Sequence, residues 1–452
     1  MSAQSASHAL SQFVNKENQK HAGIGFKMVE LETGQVIASF NEHQSLTPAS
    51  TLKILTTATA LELLKNEYRY RTELLYTGYI ENGTLIGDIL IVGSGDPTLG
   101  SEYIATDPHL FLNTFCKEIQ ALGIKEIAGE IIALDDLFGY EGIPPKWLWE
   151  DLGNAYAPGI YGLSIYDNTC KIELSSGAAG TDTQIIGMKP DIPGLQLTNE
   201  IKANVSSADN SYVAGIPFSY ARHLYGTIPQ NRRSFVAKSD IPDPGLLLAQ
   251  ELKKRLNGQG IPSGEATTCR VKPITATEKI YITHVVSPSL SEIVRVINVR
   301  SNNHYAEHLY RLLTQVRSVD MKQFWQKRGL DSSSLFVYDG SGISPANAVS
   351  AGFLTDLLVY MDKQSGQSEA FRRSLPKAGQ EGSVINLLRN TSLQGKVRVK
   401  SGSISNVQCY AGYIEMGEKR YAMAILVNNY TGKRAEIRKD IEQLLLRIFN
   451  LA

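Results

Sequence analysis

The sequence predicts an α+β protein of two or three domains, with one antiparallel sheet whose strands come from opposite ends of the chain. Three observations predict it. The 452 residues exceed what one ordinary hydrophobic core holds. A hairpin pattern near the N-terminus is matched by three strand patterns near the C-terminus. The middle, about 68–280, has a different texture, rich in strands and turns, and reads as an insertion into a discontinuous domain.

The elements follow in order. "SASHALSQFVNKE" has helical spacing. "AGIGFKMVELETGQVIASF" alternates in two runs broken by Thr33-Gly34, a hairpin signal. "TPASTLKILTTATALELL" opens with Pro48, suited to a first helical turn, and Thr47 as a candidate cap. From Tyr68 a strand series with an Asn82-Gly83 turn follows. A helix is expected near 104–122 and strands at 125–136. Residues 163–239 show strands and turns with few helical patterns. "PGLLLAQELKKRLNGQGI" reads as a helix closed by glycine, followed by strands near Thr267–Pro273 and Ile280–Val286. Two consecutive helices, "SLSEIVRVINV" and "HYAEHLYRLLTQV", flank Arg300-Ser301-Asn302-Asn303. "KVRVKSGSIS", "VQCYAGYIEM" and "KRYAMAILVNN" read as three strands, the last two joined at Gly417-Glu418. "RAEIRKDIEQLLLRIF" is a closing amphipathic helix whose apolar face suits core packing. The two terminal helices are placed on one face of the sheet.

Lys plus Arg equals Asp plus Glu at 45 each, which argues against nucleic acid or an anionic membrane as the main partner. No stretch approaches the roughly 18 apolar residues of a membrane span. "MSAQSASHALSQF" lacks the basic flank and apolar run of a signal peptide; the protein is either cytoplasmic or has lost its export signal. The four cysteines, Cys116, Cys170, Cys269 and Cys409, form no CxxC pair, and no H-E-x-x-H occurs, so neither a metal nor a cofactor is expected. Cys170 and Cys269 lie in strand-like runs. Two readings stand: a disulfide between them, or four buried thiols.

The chemistry is sought first at Ser50 and Lys53. At i and i+3 they share a helix face, and an unprotonated lysine takes the proton of a serine nucleophile when burial lowers its pKa. The helix start favours the developing negative charge. Alone, S-x-x-K recurs by chance, and a solvated helix start with an ordinary lysine explains it better. Two further elements change the balance. Ser301-Asn302-Asn303 is an S-x-N between two helices, and Lys400-Ser401-Gly402-Ser403 is a K-[S/T]-G within a strand. In that chain order the three match the penicillin-interacting serine enzymes. "GSGDPTLG" at 93–100 lacks the lysine and helix of a phosphate loop. His304 reads as a helix-start residue, and Asp339-Gly340-Ser341-Gly342 as a tight structural loop near the active site.

"FNEHQSLTPASTLKIL", "GDILIVGSGDPTL", "PKWLWEDLGNAYAPGIYGLSIYDN", "SPSLSEIVRVINVRSNNHYAEHL", "YDGSGISPANAVS" and "SLPKAGQEGSVINLL" resemble blocks of the D-alanyl-D-alanine carboxypeptidase/endopeptidases, the class C low-molecular-mass penicillin-binding proteins. The resemblance covers nearly the whole chain. It implies a penicillin-binding, transpeptidase-like domain with a five-stranded antiparallel sheet covered by helices (1–67 and 281–452). It also implies inserted domain II (68–162 and 240–280) and inserted domain III (163–239), both rich in β-structure. It implies a serine D,D-peptidase acting on peptidoglycan stem peptides, inhibited covalently by β-lactams and located in the periplasm. Ser50 is then the nucleophile and Lys53 its base. Ser301 relays the proton, and Asn303 orients Lys53 and the substrate amide. Lys400 supplies charge beside Ser301 and the substrate's terminal carboxylate, which Ser401 hydrogen-bonds. The backbone N–H groups of Ser50 and Ser403 form the oxyanion hole, each worth roughly 3–4 kcal/mol, and Gly402 permits close approach.

Three departures from the family pattern stand out. The second motif is S-N-N rather than S-D-N, and the third is K-S-G rather than K-T-G; both keep the needed groups. For gripping diaminopimelate, Asp151 and Tyr156 match the family, whereas Pro345 and Ser405 stand where an Arg and a Gln are usual. A β-lactamase is the alternative enzyme, but no E-x-x-L-N lies between Asn303 and Lys400 to activate a deacylating water. A catalytically idle wall-binding scaffold is the alternative of another class, and the intact motif residues argue against it. The sequence leaves open the balance of carboxypeptidase and endopeptidase action, third-position selectivity and the oligomeric state. It implies at most peripheral membrane contact.

Overall fold

The computed structural model describes residues 3–275 and 278–451. They form two compact units. One comprises the chain up to Tyr68, Pro144–Trp147 and the chain from Ser289; the other comprises Arg69–Ile143 and Leu148–Pro288.

The first unit is built on a five-stranded antiparallel sheet in the order Val397–Ile404, Val407–Met416, Lys419–Asn428, Gly23–Glu30, Val36–Phe40. Strands from the two ends of the chain meet where Gly23–Glu30 pairs with Lys419–Asn428. The hairpin alternation expected for the first of these does not describe its burial. Seven of its eight residues are buried, because both sheet faces are covered. The terminal helices Ala3–Val14 and Arg434–Ile448 lie on one face, where Leu10, Phe13, Ile441 and Leu445 join Phe26, Met423 and Ile425 in one core. On the other face lies the helix Ala351–Lys363. Its Leu358 carbonyl accepts the Tyr413 hydroxyl at 2.8 Å, and its Asp356 meets the buried Lys27 amine at 2.8 Å.

In the second unit, a mixed sheet runs Ala266–Thr268, Ile131–Leu134, Ile89–Val92, Arg71–Tyr76, Ile280–Val286. The helices Leu110–Ala121 and Pro244–Gly258 pack in the same core. Asp243 caps the second of these, accepting the Leu246 N–H at 3.1 Å. Residues 169–240 add two further sheets, one of three strands and one of four. Strand Ile280–Val286 pairs with Arg71–Tyr76, so it falls with this unit and the first unit resumes at Ser289.

Local expectations shift in three places. The helix expected from 104 begins at Leu110, after a turn in which the His109 N–H donates to Asp107 Oδ1 at 2.9 Å. The strand expected to Pro273 stops at Thr268, because Val271 and Lys272 N–H groups turn back to the Thr268 carbonyl. Thr47 does not cap the Ser50 helix: its hydroxyl donates to the Pro345 carbonyl at 3.3 Å, and Thr51 closes the first turn onto Pro48. All four cysteines are free. Cys170 is buried in a strand, and Cys269 instead lies 3.3 Å from the Tyr140 hydroxyl.

Candidate active site

The first unit brings the three sequence motifs into contact. Residues Ala49–Leu52 form a 3-10 turn that feeds the helix Lys53–Leu64. The turn sets the Lys53 side chain back over Ser50, with Nζ 2.8 Å from Ser50 Oγ. Nζ also reaches Asn303 Oδ1 at 2.6 Å and the Ser341 carbonyl at 2.6 Å. Lys53 is fully buried. Desolvation pulls its pKa down to about 7, opposed by the carboxylates of Asp339 and Glu307. A lysine of that pKa is substantially unprotonated near neutrality and accepts a proton from a hydroxyl in contact with it.

Ser301 ends the helix Leu290–Arg300 in the left-handed region, at φ 55°, a conformation that costs a residue with a Cβ about 1–2 kcal/mol. This bend separates it from the next helix, Asn303–Arg311, which Asn302 caps by accepting the Tyr305 N–H at 2.9 Å. The central residue of the S-x-N is therefore the helix cap, while Ser301 and Asn303 carry the contacts to the two lysines. Lys400 Nζ lies 2.9 Å from Ser301 Oγ and 2.7 Å from the Ser401 carbonyl. Lys400 is fully buried; burial, and then the charge of Lys53, hold it well below the ordinary lysine range. Ser401 Oγ lies 2.8 Å from Ser383 Oγ.

Val397–Ile404 is an edge strand, and its first half is covered because Val399 N–H donates to the Pro376 carbonyl. Its pairing with Val407–Met416 has no register shift. Alternation therefore aims the N–H groups of Ser401 and Ser403 off the same free edge. The edge meets the Ser50 turn at Gly402. A Cβ built there falls 2.4 Å from the Pro48 carbonyl oxygen and 3.0 Å from Ser50 N. Gly402 thus lets the strand lie against the Ser50 turn itself.

A second layer was not legible as functional in the sequence. Glu307, fully buried, accepts the Gly340 N–H at 3.1 Å and the Ser341 N–H at 2.7 Å. This holds the loop whose Ser341 carbonyl meets Lys53. Burial and the neighbouring Asp339 push the Glu307 carboxyl up. Asp339 accepts from Gly342 N, Ser344 N, Asn347 Nδ2 and Trp147 Nε1, all within 2.7–2.9 Å. Gly342 is left-handed at φ 82° and sits against the Ala49 carbonyl. The one sequence signal for Glu307 is its place four residues after Asn303, on the same helix face. His304 is buried, and neither ring nitrogen has a hydrogen-bond partner among the described residues; burial pushes its pKa well down.

Asp151 and Tyr156 belong to the second unit. There the Tyr156 hydroxyl donates to Asp151 Oδ1 at 2.9 Å, and burial raises the Asp151 carboxyl. Pro345 is exposed, and Ser405 lies in the exposed two-residue turn after the edge strand. In "GSGDPTLG", Asp96 turns inward to accept both Thr98 groups.

Residues 6–448 match the D-Ala-D-Ala carboxypeptidase 3 (S13) family. The chain is 26% identical over 434 residues to a D-alanyl-D-alanine carboxypeptidase of Actinomadura sp. (strain R39), covering 90% of this chain and 78% of that protein. It is 23% identical over 426 residues to D-alanyl-D-alanine carboxypeptidase DacB of Haemophilus influenzae, covering 91% and 86%. Its fold is similar to the crystal structure of penicillin binding protein 4 (dacB) from Haemophilus influenzae, with a TM-score of 0.80 at 21% identity over 98% of both chains. A more distant likeness, at a TM-score of 0.53 and 15% identity over 94% of this chain and 92% of that one, is to Bd3459, a predatory peptidoglycan endopeptidase from Bdellovibrio bacteriovorus.

Proposed function

The chain belongs to the D-Ala-D-Ala carboxypeptidase 3 (S13) family, and we propose that it works through an acyl-enzyme on Ser50. It is a serine-type D-Ala-D-Ala carboxypeptidase that acts on peptidoglycan. The observation that carries the proposal is the buried Lys53 amine, with its pKa near 7, in contact with Ser50 Oγ.

Neutral Lys53 takes the Ser50 hydroxyl proton as Oγ attacks the carbonyl of the penultimate D-alanine. Asn303 and the Ser341 carbonyl hold Nζ in place. The oxyanion forms between the N–H groups of Ser50 and Ser403, at the free edge that Gly402 keeps close. As the tetrahedral intermediate collapses, Ser301 relays the proton that Lys53 took from Ser50 to the departing amine of the terminal D-alanine, which leaves Lys53 neutral again. Lys400 and Ser401 bind that residue's carboxylate. A carboxylate arriving beside Lys400 opposes the shift that burial imposes, so substrate binding itself charges this lysine. Water then enters by the same route and releases the shortened peptide. A β-lactam places its own carbonyl and carboxylate on the same groups and leaves Ser50 acylated.

Action on peptidoglycan puts the protein outside the cytoplasm, and we assign it to the periplasm. We also propose that residues 163–239 form an inserted subdomain distinct from 68–162 with 240–280. Asp151 with Tyr156 is the proposed recognition pair for the side-chain amine of the third stem residue. The test is exposure to a labelled penicillin: the wild type is labelled at Ser50, and Ser50→Ala is not. Residual labelling of the variant overturns the assignment. Mass spectrometry of muropeptides before and after incubation separates terminal D-alanine loss from crosslink cleavage.

A further inference from the structure

The second unit holds a cavity of about 650 Å³ formed wholly from its own residues, a size typical of small-ligand sites. Its wall includes Tyr166, Asp167 and, from the helix Pro244–Gly258, Glu251, Lys254 and Arg255. Three features mark it as more than a packing defect.

First, the wall contains unsatisfied polar atoms of both kinds. Asp167 is 8% exposed. Its Oδ2 accepts the Glu102 N–H at 3.0 Å, but Oδ1 is buried and accepts nothing. Arg255 Nη1 donates to Asn113 at 2.8 Å, while its buried Nε has no acceptor. Such atoms are costly to bury without a partner. Desolvation pushes the Asp167 carboxyl up to about 6, against the hydrogen bonds from Ser101 and Glu102 and the charge of Lys238 that lower it. Second, the mouth of the cavity carries the exposed Lys189, Asp191 and Lys254 and the half-buried Glu251, none of them in an ion pair among the described residues. By contrast, Lys171 beside them is neutralised by Glu102. Third, Tyr166, Asp167 and Asn168 are three successive left-handed residues, at φ 55°, 58° and 48°, a conformation disfavoured by side chains. The bend is held by Asn168 Nδ2 donating to the Gly159 carbonyl at 2.8 Å and by the Tyr166 hydroxyl against His109 Nδ1 at 2.9 Å.

We propose that this cavity is a binding site for a short zwitterionic peptide, with Asp167 taking a free amine and Lys254 and Arg255 taking a carboxylate. Ligands of one charge sign leave half of these groups unmet. The apolar stretch between amine and carboxylate lies along the Tyr166 ring and Pro108. Given the peptidoglycan activity above, on which this step rests, the ligand is a stem peptide with its third-residue amine free. The inserted unit then holds a second wall peptide independently of the one undergoing cleavage.

The experiment uses the full chain with Ser50 already acylated by a penicillin, so the catalytic cleft is closed to peptide. The probe is Nα-acetyl-L-alanyl-γ-D-glutamyl-L-lysine, followed by calorimetry. The acylated protein is expected to bind one equivalent. Asp167→Asn, or acetylation of the lysine amine, is expected to weaken binding at least tenfold, and the two together no further than either alone. Lys254→Ala is expected to weaken the free acid but not the C-terminal amide. Far-UV circular dichroism and thermal unfolding report that the second unit of each variant is folded, and an unchanged penicillin acylation rate reports the same of the first. If Asp167→Asn does not fold, the acetylated probe on the wild type carries the same information. Absence of binding, loss of binding on acylation, or an affinity indifferent to amine acetylation overturns the site. Each of those results leaves Ser50 labelling, and therefore the proposed catalytic reading, intact.

Discussion

A methyl group at position 402 meets backbone on three sides. An ideal Cβ there lies 2.4 Å from Pro48 O, 2.7 Å from Thr51 N and 3.0 Å from Ser50 N. None of these atoms ends a flexible side chain, so none yields by rotation. Restoring an ordinary 3.4 Å contact to the Pro48 oxygen requires the edge strand and the Ser50 turn to separate by about 1 Å. A displacement of that size at a reacting centre costs about 100-fold in rate, or roughly 2.7 kcal/mol in the barrier. Losing the Ser403 N–H from the oxyanion altogether costs about 100- to 1,000-fold. Overpacking adds a stability loss of about 1–3 kcal/mol. Gly402→Ala is therefore expected to remain folded and to acylate at least 100-fold more slowly than the wild type. The assay is the second-order rate of labelling by a fluorescent penicillin, with thermal unfolding measured alongside. Acylation within threefold of wild type would refute the contact argument and with it the placing of the oxyanion site at this edge.

Three further outcomes follow from the same geometry. Lys53 must be neutral to act as a base, so acylation is expected to fall as pH drops through about 7, tenfold per unit below it; a flat rate from pH 5 to 8 would remove Lys53 from that role. Glu307→Gln removes a negative charge that raises the Lys53 pKa and replaces a charged acceptor for Gly340 and Ser341 N–H by a neutral one, a loss of about 1 kcal/mol. The acid limb of the rate profile is thus expected to move to lower pH while the plateau drops roughly fivefold, and an unmoved limb would leave Glu307 with a purely structural role. Lys400→Ala is expected to lose the preference for a free substrate carboxylate, read as the ratio of kcat/KM for a D-Ala-D-Ala peptide and its amide; a ratio unchanged from wild type would reassign Lys400.

The sequence by itself determined the local features. Spacing of three along one turn sets Ser50 and Lys53 on one face, because that relation needs only helix geometry. Turn and strand chemistry separated the terminal hairpin from the three closing strands, and alternation put Ser401 and Ser403 on one side of their strand. The family resemblance supplied the roles. Tertiary structure decided what depends on groups far apart in the chain. The depression of the Lys53 pKa arises from complete burial, countered by Asp339 and Glu307, and no local pattern encodes that balance. Glu307 reads as one more charge on a helix until the fold aims it at two loop N–H groups. Gly402 is legible as a close-approach residue, but only packing shows that it approaches the backbone of the Ser50 turn. Continuous burial over residues 24–30 likewise reflects helices laid on both faces of the sheet, a consequence of how the chain's two ends come together.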